Sequence, residues 1–124
     1  MAVLLDTCVY LWILDDSDRL TGEVRELLDS EYPRFVSSIS FAEIEIKRSQ
    51  GILILPGDYR ASLEDNGLSP LDYTVGDTLF LAELPYHHKD PFDRLLISQA
   101  IARKLSVVTG DAIFRNYPVE AMVI

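Results

Sequence analysis

The chain has 124 residues, 48% of them hydrophobic, with 20 acidic and 11 basic side chains and a formal net charge of −9. This length suits one domain around one core, and the acidic balance argues against a surface built for non-specific nucleic-acid binding, which needs positive charge. No apolar run approaches the ~18 residues of a membrane span, the start MAVLLDTC has no basic leader segment, and the lone Cys8 has no internal disulfide partner, which fits a reducing cytoplasm.

VLLD (3–6) is an apolar run halted by an aspartate and reads as a buried strand. A helix follows through VYLWIL. Thr21 is placed to cap a second helix, with Val24, Leu27 and Leu28 on one face. FVSSI (35–39) reads as a strand. Ser40 then caps a helix and Glu43 completes a capping box; that helix runs to about Gln50 and stops at Gly51. ILILPGD is an apolar segment broken by Pro56 and Gly57. A short helix is predicted over 58–66, ending at Gly67, and SPLDY is an ambiguous extended piece. Thr74 reads as the cap of a helix ending at Leu84–Pro85. In HHKDPFDRLLISQA (87–100), Asp90 fits an N-cap and Pro91 the first helical position. Asp93 falls at the third position, from which it can reach back to the cap. That helix runs to about Lys104. LSVVT (105–109) is a strand, AIFRNY a helical turn and VEAMVI a last strand.

Strands alternate with helices, and the strands are continuous apolar runs. This predicts an α/β fold with a mostly parallel sheet covered on both faces and joined by right-handed crossovers. Ligands in such folds bind beyond the C-terminal strand ends, often where strand order reverses. Asp6 and Asp111 each follow a strand, Glu43 lies one helical turn beyond another, and Asp93 begins the helix leading into the Asp111 strand. Singly, each reads as a turn residue or a cap. Together at one sheet edge they would repel one another and shift upward in pKa, and they make most sense around a hard cation such as Mg2+ or Mn2+. Such an ion is suited to phosphodiester hydrolysis. Glycine-rich nucleotide loops and a G-x-S-x-G elbow are absent. A receiver domain would need a lysine at a later strand end, and Thr109–Gly110–Asp111 offers none. Cys8 reads as a small buried hydrophobe, with His87 and His88 its only imidazole partners were it a nucleophile.

LLDTCVYLW, SFAEIEIKRSQGILILP, HHKDPFDRLLISQA and VVTGDAIFRNY together resemble the PIN-domain family, in particular the VapC-type toxins of toxin–antitoxin pairs. The resemblance implies one PIN-like nuclease domain over 1–124, a three-layer α/β/α sandwich, and a cytoplasmic Mg2+- or Mn2+-dependent endoribonuclease. It places the family's four acids on Asp6, Glu43, Asp93 and Asp111, with Thr7 and Thr109 lining the site. It further implies an RNA substrate, a cognate antitoxin and a homodimer, the apolar residues of helices 21–30 and 41–50 supplying the dimer face. Asp90 is read as a cap beside the metal. Lys47 is either an i,i+4 partner of Glu43 or a phosphate contact, and Arg94 and Arg115 are further phosphate-contact candidates. Gly76–Asp77 departs from the branch, which often has His–Ala there, and Ala42 stands where an aromatic often precedes the second acid. The alternatives are a structure-specific nuclease of the same fold and a non-catalytic PIN-like binding module.

Overall fold

The computed structural model describes residues 1–124. Five short apolar runs form strands β1 (Val3–Leu5), β2 (Arg34–Ser37), β3 (Ser69–Leu71), β4 (Ser106–Thr109) and β5 (Ala121–Val123). They pair in the order β3-β2-β1-β4-β5, and every pairing is parallel. In β1, Val3 and Leu5 point to one face and Leu4 to the other, and all three are buried. Alternation along a strand requires this two-sided burial once helices cover both faces.

Val3, Leu5, Val36 and Val108 pack on one side against α1 (Thr7–Leu14), α2 (Gly22–Leu28), α3 (Ser38–Ser49) and α4 (Ser62–Asp65) through Val9, Tyr10, Val24 and Ile44. Leu4 and Val107 pack on the other side against Leu96, Ile97 and Ala100 of α5 (Pro91–Arg103) and against Phe114. The result is a three-layer α/β/α sandwich. Val24 and Leu27 of α2 are spent in this core, as is Ile44 of α3, while Leu28 and Phe41 are only partly buried, so the helices at 21–30 and 41–50 keep few apolar residues for a dimer face. Of these, Ile46 remains substantially exposed.

Two predicted boundaries move. Helix α3 begins three residues earlier than expected, because Ser37, the last residue of β2, already supplies the capping oxygen and accepts from the Ile39 N–H at 3.1 Å. Ser40 therefore lies inside the helix, and Glu43 is freed from any capping role. The segment after Thr74 forms two 3₁₀ turns, Val75–Thr78 and Leu81–Glu83, rather than one helix. Thr74 and Asp77 do make the capping box. The Asp77 carboxylate, however, also accepts from Arg103 Nε at 2.8 Å and Gln99 Nε2 at 3.2 Å. Burial raises the proton affinity of Asp77, but Arg103, the Thr74 N–H and Gln99 together hold it below the ordinary carboxylate value. This anchor pins the turn onto α5.

Candidate active site

Strand order reverses at β1, since the chain runs outward through β2 and β3 and then returns to place β4 on the other side. The C-terminal ends of β1 and β4 therefore diverge into a crevice, as such switch points do. Asp6 caps α1 at this point, and its backbone N–H continues the ladder to Val108 O at 2.8 Å. Its carboxylate is held on both sides. Oδ1 accepts from the Thr7 N–H at 2.7 Å, and Oδ2 accepts from Thr109 Oγ1 at 2.7 Å. The same Thr109 hydroxyl accepts from the Asp111 N–H at 3.0 Å and so ties the two acids together. Thr7 Oγ1 donates to Ser40 Oγ at 2.8 Å, which joins α1 to α3.

Glu43 arrives from α3. Its Oε2 accepts from Lys47 Nζ at 2.6 Å, which resolves Lys47 as the i,i+4 partner. Glu43 Oε1 is buried without any hydrogen-bond partner. At the start of α5, Asp90 is the cap, accepting from the N–H groups of Phe92 at 2.9 Å and Asp93 at 3.5 Å. Asp93 does not reach back to close a capping box. Its Oδ2 lies 2.7 Å from His88 Nε2, and the same nitrogen is 3.0 Å from Asp111 Oδ2. The Asp90 N–H that a capping box would satisfy donates instead to His88 Nδ1 at 3.2 Å.

These groups line an open cleft of about 290 Å³ that holds Asp6, Glu43, Asp90, Asp93 and Asp111, with Lys47 and Arg19 as its two cations. Arg19 lies 4.5 Å over the Trp12 ring, and Trp12 in turn packs so closely on Gly110 that a Cβ there would collide with the indole. Burial pushes Asp6 above the usual carboxylate range, against the lowering effect of its bonds to Thr109, Cys8 and Thr7. Asp93 is pushed up to about 8, first by burial and then by the charges of Asp6, Asp90, Glu43 and Asp111. Lys47 is raised by its bond to Glu43. Such a crowd of carboxylates is held together at a cost that a cation would relieve. The donors are oxygens, one of them a buried orphan, so the residues present fit a hard divalent ion.

Two sequence-derived candidates fall outside this cleft. Arg94 is buried, and its guanidinium donates to the carbonyls of Leu84, Pro85 and His88 beneath the Tyr86 ring. It clamps the loop before α5 and is not free for phosphate. Arg115 borders a separate cavity of about 280 Å³ beside Met1 and β5. The nucleophile reading of Cys8 also fails: burial and the Asp6 charge push its thiol up to about 12, and its Sγ faces Asp6 Oδ2 at 3.5 Å rather than an imidazole. The sequence reading gave no site role to Trp12 and Arg19, which line the cleft, or to His88, which contacts the carboxylates of Asp93 and Asp111 without lining it. For His88 a signal existed, since it stands two residues before a cap whose N–H needs an acceptor. Trp12 and Arg19 carry none, because only the fold brings them to Gly110.

The chain belongs to the PIN-domain family, whose model matches residues 3–120 and whose members are nucleases. Its fold is similar to that of VapBC2 from Rickettsia felis, solved with a DNA fragment from the VapBC2 promoter, at a TM-score of 0.77 and 21% identity over 99% of this chain and 98% of that one. It is also similar to DNA-bound VapBC from Salmonella typhimurium (TM-score 0.72, 20% identity, 99% and 98% covered) and to FitAcB from Neisseria gonorrhoeae (TM-score 0.67, 20% identity, 97% and 96% covered). No curated protein sequence matches.

Proposed function

We propose that the whole chain is one nuclease domain, a Mg2+- or Mn2+-dependent endoribonuclease of the VapC type that acts as the toxin of a toxin–antitoxin pair. The observation that carries this reading is the convergence of Asp6, Glu43, Asp93 and Asp111, from four separate segments, on one cleft at the sheet's switch point. Each of these carboxylates is assigned to the metal. Bound among them, a divalent ion supplies an activated water and offsets the charge that develops on the phosphate.

The protein's own groups prepare that site. Thr109 and the Thr7 N–H fix the rotation of Asp6. Lys47 holds one oxygen of Glu43 and leaves the other free to ligate. Arg19 lines the same cleft and makes no ion pair, so it is the cation left to meet a phosphate, Lys47 being spent on Glu43. Asp90 shapes the turn that presents Asp93. The toxin assignment draws on the likeness to VapBC complexes, and with it come a cognate antitoxin and a homodimer as partners.

The test is cleavage of a defined single-stranded RNA by purified protein, with a DNA of the same sequence alongside. RNA cleavage with Mg2+ or Mn2+ that stops with EDTA is the expected result. Cleavage that persists after complete metal removal rules the mechanism out, and preference for DNA rules out the substrate. Co-purification with the product of an adjacent gene tests the antitoxin, and light scattering at tens of micromolar, roughly the range of a weak dimer, tests self-association.

A further inference from the structure

We propose that His88 is a positioning residue of the carboxylate cluster, holding Asp93 and Asp111 to one another through a proton on Nε2. The inference rests on the metal-site reading above and adds a residue that the four acids do not include.

Spacing alone suggests a different role. His88 Nε2, Asp93 Oδ2 and Asp111 Oδ2 approach closely enough to share one ion. The far side of the ring decides against it. A backbone amide has only a proton to give, so the Asp90 N–H bond at 3.2 Å requires a lone pair on His88 Nδ1. The neutral ring then carries its proton on Nε2, and a protonated nitrogen has no lone pair for a metal. Nε2 lies 2.7 Å and 3.0 Å from two oxygens, yet neither is aligned well enough with the ring N–H to count as a full hydrogen bond. With two carboxylate oxygens as its only close polar neighbours, the Nε2 proton faces both acids and is committed to neither.

The ring is in no position to do more. Its side chain is 14% exposed, and its edge packs on Phe114 at a centroid distance of 6.0 Å. The backbone on either side is tied down, with the His88 N–H donating to Tyr117 Oη at 2.8 Å and its carbonyl accepting from Arg94. Substrate in the cleft cannot reach a buried Nε2. The two acids it touches come from different elements, Asp93 from α5 and Asp111 from the turn after β4, and no other side chain bridges them. Hydrogen bonds that orient ligating carboxylates in this way act on metal affinity.

Two variants separate this role from a structural one. In His88→Asn the amide sits where Nδ1 was, so it can still accept the Asp90 N–H but cannot reach the carboxylates. In His88→Gln the amide extends to the place of Nε2 and can donate to both. Mn2+ binding is measured by titration with electron paramagnetic resonance of the free ion, and melts are recorded in EDTA. His88→Asn should bind Mn2+ about 10- to 100-fold more weakly while melting close to wild type, and His88→Gln should recover most of the affinity. Pulsed resonance on the wild-type Mn2+ complex should show no directly coordinated nitrogen. Wild-type affinity in His88→Asn, failure of Gln to rescue, or a coordinated nitrogen would each overturn the proposal. Absence of any Mn2+ binding by wild type would instead defeat the metal-site reading itself, and this inference with it.

Discussion

Replacing Asp93 by Asn should have opposite effects on stability and on catalysis. In the unfolded chain Asp93 ionises near 3.8, whereas in the metal-free fold it holds its proton up to about 8. Between those values the native state binds the extra proton, so stability falls as pH rises. At about 1.4 kcal/mol for each tenfold change in proton affinity, the ionised carboxylate costs the fold at most about 6 kcal/mol at high pH. Asn has the same shape and no charge. In EDTA at pH 9, Asp93→Asn should therefore melt above wild type, by at least a few degrees on the scale of roughly 4–8 °C per kcal/mol for a small domain. The gap should narrow as pH falls and close only near pH 3.8, where the carboxyl is protonated in the unfolded chain as well. RNA cleavage at saturating Mg2+ should meanwhile fall by about 10²-fold or more. Asp77 provides the control, since Arg103 and Gln99 pair its buried carboxylate and Asp77→Asn should lower the melting temperature at neutral pH. Near-normal cleavage by folded Asp93→Asn, or a drop in its metal-free melting temperature at pH 9, would refute the reasoning.

Asp90→Ala removes the cap of α5 and should cost about 0.5–2 kcal/mol, with Asp90→Asn restoring most of it; denaturant melts give the difference, and cleavage by Asp90→Ala should fall by no more than about 10- to 100-fold. In wild type without metal, the melting temperature should decline from pH 5 to pH 8, because Asp6 and Asp93 are both raised. The gain on adding Mn2+ should grow over the same range, as the ion displaces a proton ever more easily; a gain independent of pH would contradict the raised carboxyls.

Much of this fold was legible because parallel strands buried on both faces must read as apolar runs. VLLD and LSVVT did so, and their alternation with helices predicted a mostly parallel sheet, which is parallel throughout. SPLDY stayed ambiguous for the reason it is an edge: β3 pairs only with β2, and its Ser69 and Pro70 are exposed. The start of α3 was misplaced because Ser37, Ser38 and Ser40 all offer a capping oxygen, and only the end of the β2 ladder selects among them. The helix expected after Thr74 gave way to tertiary structure, since Asp77 and Arg103 are 26 residues apart and no local pattern pairs them. Asp6, Glu43, Asp93 and Asp111 were drawn together by topology alone, because the ends of parallel strands share an edge. Arg94 was misjudged because a charged residue in an apolar helix looks equally ready for solvent and for three buried carbonyls.

Asp77 and Asp93 show how differently the fold treats two shielded acids. Both are shielded from water, Asp77 beside α5 and Asp93 in its first turn. Asp77 is supplied with a guanidinium, an amide and a backbone N–H, and its proton affinity falls. Asp93 is given four other carboxylates and one shared imidazole proton, and its affinity rises to about 8. The chain has 11 basic side chains for 20 acidic ones, and in this cleft it spends only Lys47 directly, on one oxygen of Glu43. A cluster left this far from neutral is unfavourable by itself and must be maintained by the packing of β1, α3, α5 and β4 around it. The same imbalance would reconcile a net charge of −9 with the RNA substrate proposed above. The acidic cleft would repel a phosphate by itself, and a divalent ion bound there would invert the local field.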